Sequence, residues 1–190
     1  MICDLVWKHP ADDPETQLRI RPLREQWEAR GPGLLKYVTA QLAWIEFPER
    51  PTVRLIRPQK GGHGRIVSTN EIEFEAVLAN PFPNLPEVVR LGWLVSCLTF
   101  GDERRMSIAM IPPVLAAAQH VELATFDEAT CDFALRHWFD HTPDVKLGRD
   151  LFTWWLEVGN ALQDRQEWIG AITNHESCST SNGTDRNRSN

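Results

Sequence analysis

The chain has 190 residues, of which 42% are apolar, and this is enough material for one hydrophobic core. Its formal net charge of −6 disfavours wholesale binding to nucleic acid or to an anionic membrane. The four cysteines are widely separated, which argues against a disulfide framework or a structural zinc site and fits a reducing compartment. The N-terminal sequence lacks the sections of a secretory signal. We therefore expect a soluble, cytoplasmic protein that does not act at a membrane.

The first part of the chain is predicted to be an arm followed by two helices. Residues 1–21 are rich in proline and acidic side chains, and we predict an N-terminal arm there. Pro22 suits the first turn of a helix, because its missing N–H has no partner at that position. The motif at 31–33, Gly-Pro-Gly, predicts the end of that helix near Arg30. A second helix is predicted over about 34–45, where apolar residues recur at helical spacing.

The spacing of apolar residues changes in the middle of the chain from a helical period to the alternation that is typical of strands. Residues 52–57 alternate and are rich in β-branched side chains, and further strands are predicted at 65–68 and 71–78. Glutamates and apolar residues alternate in the last of these, which is typical of a sheet with one wet face and one buried face. The short links predict a small antiparallel three-stranded sheet over about 52–78.

The second half of the chain is predicted to be helical. A helix over about 85–100 is apolar on all sides, which predicts a position at the centre of the core. The pattern of residues 104–111 is compatible with either a helix or a strand. A proline pair predicts a helix over about 114–123, and the spacing of Thr125 and Glu128 predicts the capped start of the next helix.

The last apolar stripe completes the predicted architecture. A helical region over about 149–172 is predicted, with an interruption at Gly159 or Asp164. Because the strands lie in one block, we predict an α+β fold in which five to six helices pack on the small sheet. Residues 22–174 form one predicted globular domain. Residues 175–190 lack large apolar side chains over most of their length and are predicted to be a disordered polar tail.

A basic segment is the first candidate site. The stretch from Arg50 to Asn70 contains five basic residues and no acidic one. Its glycines would let backbone N–H groups approach an anion closely. The ordinary alternative is that the charges protect an exposed strand from aggregation. The hypothesis is an anion- or nucleic-acid-contacting module, whose candidate ligands for the anion are Arg54, Arg57, Lys60, His63 and Arg65.

Two histidines are the second candidate site. His137 and His141 lie four residues apart near a helix end, so that both imidazoles lie on one side and are able to chelate a metal. A third ligand would have to come from another part of the chain. The plainer alternative is that histidines at a helix C-terminus interact favourably with the helix dipole. The hypothesis is a metal-dependent enzyme, although no cofactor is predicted.

An excess of tryptophan is the third feature, with eight in the chain. Trp154 is predicted to be exposed, because its neighbour Trp155 is in phase with the apolar stripe of its helix. Tryptophan is enriched at binding hot spots. The leading hypothesis is therefore a non-catalytic interaction or assembly protein, which uses a tryptophan-rich helical surface for a protein partner or for self-association. The predicted interface residues are Trp138, Trp154 and Trp168.

Overall fold

The computed structural model describes residues 3–9, 13–56, 64–75, 85–101, 103–138 and 145–180. Within these ranges the fold is α+β, as predicted. In chain order the elements are β1 (Val6–Lys8), α1 (Pro14–Gln41), β2 (Thr52–Leu55), β3 (Gly64–Ser68), β4 (Glu71–Phe74), α2 (Glu87–Cys97), α3 (Arg104–Ala109), α4 (Ile111–His120), α5 (Glu128–His137), α6 (Val145–Glu157) and α7 (Arg165–Thr180). A 3-10 turn at Gly159–Ala161 separates the last two helices. None of the described helices has the length and apolar character needed to cross a bilayer.

The sheet differs from the predicted antiparallel three-stranded sheet over 52–78. Over the described residues it has four strands in the order β1-β2-β4-β3 and is mixed. The first strand pairs in parallel with β2, which pairs in parallel with β4, and only β3 and β4 are antiparallel. Alternation in the sequence reveals which residues share a face, but it carries no signal for pairing direction. The additional strand has three residues, too few for a recognisable period.

The register of the sheet separates a buried inner face from an outer face. Trp7 lies opposite Val53, which lies opposite Ile72. Directly opposed residues point to the same side of a sheet. Val53 and Ile72 are fully buried and Trp7 packs against the core. These side chains therefore form the inner face, and their neighbours along each strand belong to the outer face.

A single long helix replaces the two short ones predicted for 22–30 and 34–45. Helix α1 has 28 residues and contains Pro22 and Pro32 in its interior. An interior proline costs roughly 3 kcal/mol in a helix, because it removes a hydrogen bond and crowds the preceding turn. Burial on both sides of the second proline offsets this cost, since Trp27 and Leu34 are both buried. The Gly-Pro-Gly motif therefore lies inside the helix and does not end it.

Helix α2 is the apolar helix predicted over 85–100. Every residue from Val88 to Cys97 is buried, including a charged one, Arg90. The Arg90 guanidinium donates to the backbone oxygen of Glu75 and to the Glu87 carboxylate, at 2.6 Å each. It also lies over the Phe74 ring, 4.2 Å from its centroid. A buried charge is tolerated here because both hydrogen bonds and an aromatic face replace its water.

The C-terminal helical region is interrupted between Glu157 and Arg165, a stretch that contains both predicted break positions, Gly159 and Asp164. Helix α5 starts at Glu128, but its N-cap is Asp127, whose carboxylate accepts a hydrogen bond from the Thr130 N–H at 2.7 Å. The predicted cap at Thr125 is wrong, because the aspartate two residues later takes that position.

The predicted arm at 1–21 supplies β1 and the first turns of α1. Helix α7 includes residues 175–180 of the predicted disordered tail, and residues 181–190 lie outside the described residues. The domain limits at 22 and 174 stay predictions.

Candidate functional site

The outer face of the sheet brings together charged side chains from all four strands. Lys8 on β1 lies opposite Arg54 on β2. Glu73 on β4 lies opposite both Arg54 and Arg65. Glu71 lies two residues before Glu73 and therefore shares this face. We refer to these five residues, Lys8, Arg54, Arg65, Glu71 and Glu73, as the charged sheet face.

Ion pairs hold the two arginines of this face in place. The Arg54 Nη2 lies 2.6 Å from the Glu71 carboxylate, and its Nη1 lies 3.4 Å from that of Glu73. The Arg65 Nε lies 2.6 Å from the other Glu73 oxygen. Both arginine side chains stay accessible, with 44% of Arg54 and 60% of Arg65 exposed. Exposed pairs contribute only about 0–1 kcal/mol each to stability, so the arrangement positions the charges more than it stabilises the fold.

The charged sheet face has a small positive balance. Three cations and two carboxylates leave one net positive charge, in a chain whose total is −6. Lys8 is exposed and has no ion pair with any residue that the structure describes. The structure therefore brings together Arg54 and Arg65 of the predicted anion site. The other predicted members, Arg57, Lys60 and His63, lie outside the described residues.

The predicted metal pair cannot be assembled from the described residues. His137 ends α5 and is exposed, and its ring stacks on Phe133 with 4.2 Å between the centroids. Partial desolvation of its imidazole, followed by the charge of the neighbouring Arg136, lowers the pKa of His137. His141 lies outside the described residues. Within the described ranges, no three side chains of histidine, cysteine, aspartate or glutamate are grouped to hold a metal ion. The histidine pair stays a prediction.

The tryptophans that were predicted to form an interface lie in the interior. Trp138 is 6% exposed, Trp154 is 7% exposed and Trp168 is fully buried. The prediction that Trp154 is exposed is wrong. The reason is tertiary: α7 places Trp168 against the second side of α6, with 5.9 Å between the two ring centroids. The helical period of α6 alone predicts one buried side, and it contains no information about a second packing partner.

Two of the buried indoles differ in hydrogen bonding. Trp93 Nε1 donates to the Ser107 backbone oxygen at 2.7 Å. Trp168 Nε1 is buried, and no residue in the described part of the chain accepts its hydrogen bond. The Trp168 ring packs against Trp44 and Phe100, with centroids 5.2 and 5.9 Å away. Trp168 is thus enclosed in the core, while Trp44 and Phe100 are partly buried and pack against it.

The buried thiols are poor nucleophiles. Burial, with a smaller contribution from Asp4, raises the pKa of Cys3 to about 12. Burial also raises the pKa values of Cys97 and Cys131. Since the thiolate is the reactive form, these side chains stay protonated and unreactive near neutral pH. Ser96 is buried as well and donates its hydroxyl hydrogen to the Gly92 oxygen at 2.8 Å.

Three residues of the charged sheet face, Lys8, Glu71 and Glu73, were not predicted as site residues from the sequence. The alternation that contains Glu71 and Glu73 correctly signalled a wet face, but it did not connect these carboxylates with the arginines of the preceding segment. The same alternation places Glu75 on the wet face, whereas Glu75 is fully buried, because β4 ends at Phe74. Lys8 was missed because β1 was not predicted.

Comparison with known proteins gives no relative from which a function can be transferred. No protein family, no curated protein and no solved structure matches the chain. The geometry of the charged sheet face is therefore the basis for inferring function. On this face, positively and negatively charged side chains are held at fixed positions by the strands, and the arginines are accessible to solvent.

Proposed function

We propose that the protein is a non-catalytic interaction protein that binds a partner protein through the charged sheet face. One observation carries the proposal: Lys8, Arg54, Glu73 and Arg65 stand in a single cross-strand row on an exposed surface. Such a row presents charges at fixed spacing, and electrostatic complementarity of this kind governs specificity and the rate of association. We expect the interaction in the cytoplasm, as the cysteine pattern indicates.

The fixed orientation of the arginine side chains in the row supports a role in binding. Glu73 holds Arg54 and Arg65 through ion pairs at 3.4 and 2.6 Å, so both side chains are oriented before a partner arrives. Less rotamer entropy is then lost on binding. The four strands, at roughly 4.8 Å spacing, give a face about 14 Å wide. With strands of at most five residues at about 3.3 Å each, the area of this face is about 240 Å², well below the roughly 800 Å² per partner of a standard interface. We therefore expect a weak or transient complex.

The surface proposed here differs from the predicted tryptophan-rich surface. Trp138, Trp154 and Trp168 are buried and pack against other core residues. Binding through them would require the core to open. The charged sheet face needs no such change, because its cations are already exposed.

A second candidate function is contact with a non-protein polyanion, and the three cations of the row favour it. Two features weigh against it. Glu71 and Glu73 interrupt the cations of this face. A nucleic-acid backbone carries a charge at every nucleotide and would place phosphates against these carboxylates, whereas a protein segment is able to leave those positions uncharged. In addition, the outer face of the described strands carries no aromatic ring on which bases could stack, since Trp7 is on the inner face. We therefore place the protein partner first.

Differential capture from a cell extract tests the proposal. The bait variant Arg54→Ala/Arg65→Ala removes two cations of the face. Its matched control is Arg21→Ala/Arg24→Ala, which removes two exposed arginines from α1 that also form ion pairs with glutamates, at 2.9 and 2.8 Å. We expect at least one protein to be captured by the wild type and the control but not by the sheet variant. That protein, once purified, should bind the wild type directly. Equal capture by both variants would refute the proposal.

A further inference from the structure

We infer that the partner contributes an acidic segment that lies extended across the charged sheet face, an inference that rests on the proposed function. The row itself is more basic than the face as a whole. It contains Lys8, Arg54 and Arg65 with only one carboxylate, Glu73. A segment with carboxylates is therefore the complementary ligand.

The spacing of the row matches an extended chain. Neighbouring strands are roughly 4.8 Å apart, so the distance from β1 to β3 along the row is about 14 Å. In an extended segment, residues i, i+2 and i+4 point to one side and span about 13 Å. A segment that crosses the strands therefore places residue i near Lys8 and Arg54, and residue i+4 near Arg65. Residue i+2 then lies over Glu73.

This alignment predicts a sequence pattern in the partner. Carboxylates are favoured at i and i+4, where they meet cations. A third carboxylate at i+2 is disfavoured, because it would lie against Glu73, whose charge has the same sign. A small hydroxyl residue at i+2 donates a hydrogen bond to that carboxylate instead. The expected pattern is acid, any residue, serine or threonine, any residue, acid.

The cations of the row are able to receive these carboxylates without giving up their present partners. Lys8 is exposed and makes no ion pair within the described ranges. Arg54 already contacts both Glu71 and Glu73, but a guanidinium has five N–H groups and accommodates a further carboxylate. The arginines therefore bridge the protein's own glutamates and those of the partner.

Fluorescence polarisation with the full-length chain and synthetic labelled peptides tests the inference. The first peptide has glutamate at i and i+4 with serine at i+2, the second has glutamine at i and i+4, and the third has lysine there. We expect the glutamate peptide to bind, and the glutamine peptide to bind at least about tenfold more weakly. Binding of the glutamate peptide should weaken as salt is raised, since exposed charges are screened.

Charge reversal provides the sharper readout. The variant Lys8→Glu/Arg65→Glu should lose the glutamate peptide and bind the lysine peptide, whereas the control Arg21→Glu/Arg24→Glu on α1 should keep the wild-type preference. Circular dichroism of both variants checks that they are folded. Equal binding of the glutamate and glutamine peptides, or no binding of either, would overturn the inference. Tighter binding of single-stranded DNA that depends on the same cations would also overturn it.

The failures of the inference and of the proposed function are distinguishable. If a captured partner depends on Arg54 and Arg65 but binds through a segment without carboxylates, the inference is wrong and the proposed function stands. If no captured protein depends on these two arginines, both are wrong.

Discussion

The contrast between two buried tryptophans yields a quantitative prediction about the core. Trp93 and Trp168 are both buried and both pack against other aromatic rings. They differ in that the Trp93 N–H donates to the Ser107 oxygen at 2.7 Å, while the Trp168 N–H has no acceptor among the described residues. Substitution by phenylalanine removes the N–H at either site and leaves an aromatic ring in place. The two variants should therefore differ in stability.

The size of the difference follows from two contributions. Each substitution leaves a cavity of about 40 Å³, which costs about 1 kcal/mol at ~24 cal/mol per Å³. Trp93→Phe also leaves the buried Ser107 oxygen without its donor, which adds roughly 1–3 kcal/mol. Trp168→Phe removes a buried donor that was unsatisfied, which recovers roughly 1–3 kcal/mol. We expect Trp93→Phe to cost at least about 2 kcal/mol more than Trp168→Phe.

Urea denaturation followed by circular dichroism measures this difference. With a slope of about 2 kcal/mol per molar urea, the midpoint of Trp93→Phe should lie about 1 M below that of Trp168→Phe. Thermal denaturation should give the same order, with midpoints about 4–8 °C apart. Equal midpoints, or a lower midpoint for Trp168→Phe, would show that the Trp168 N–H is satisfied and that the hydrogen-bond assignment is wrong.

Three further predictions concern the thiols, the helix glycines and one helix cap. Burial raises the pKa values of Cys3, Cys97 and Cys131 above the ordinary 9.0, to about 12 for Cys3, so the folded state retains their protons. The free energy of unfolding should then fall as the pH rises from about 9 towards 12, and it should fall less steeply in Cys3→Ser. Urea denaturation at a series of pH values measures this, and a free energy that stays constant or rises would contradict it. Gly92→Ala should destabilise the protein by about 1–3 kcal/mol, because the new Cβ would lie 2.7 Å from a methyl of buried Leu34. Gly170→Ala has open space around the new Cβ and should stabilise α7 by up to about 1 kcal/mol. If both variants shift the urea midpoint in the same direction, the packing described here is wrong. Asp127→Ala should cost about 1 kcal/mol by loss of its cap, while Asp127→Asn should cost less; equal midpoints for the two variants would contradict the assignment.

Local patterns in the sequence determined a large part of the secondary structure. The apolar run around Trp93 predicted a buried helix, and every residue of Val88–Cys97 is buried. The alternation in Glu71–Phe74 predicted one buried and one wet face. A break at Gly159 or Asp164 was also predicted, and the helices are interrupted between Glu157 and Arg165. These features are local, because a helix or strand that buries one side must repeat apolar residues at its own period.

The candidate site was only partly accessible from the sequence. The basic segment identified Arg54 and Arg65 as candidates, since their charge has no local counterpart. Their partners Glu71 and Glu73, and the third cation Lys8, come from other strands. Only the strand order places them on one row, and no spacing along the chain encodes that order.

Tertiary contacts decided the remaining features. Helix α1 continues through Pro32, although local preference predicts a break, because Trp27 and Leu34 are buried on either side of it. Trp154 is buried because Trp168 of α7 and the turn at Gly159 pack against its ring, on a side of α6 that the helical period leaves open. In each case the burial of apolar surface by a distant element outweighs the preference of the local sequence. The sequence by itself thus determined which elements form and which sides of them are apolar, while strand order, helix continuity and the composition of the charged sheet face depend on contacts between residues far apart in the chain.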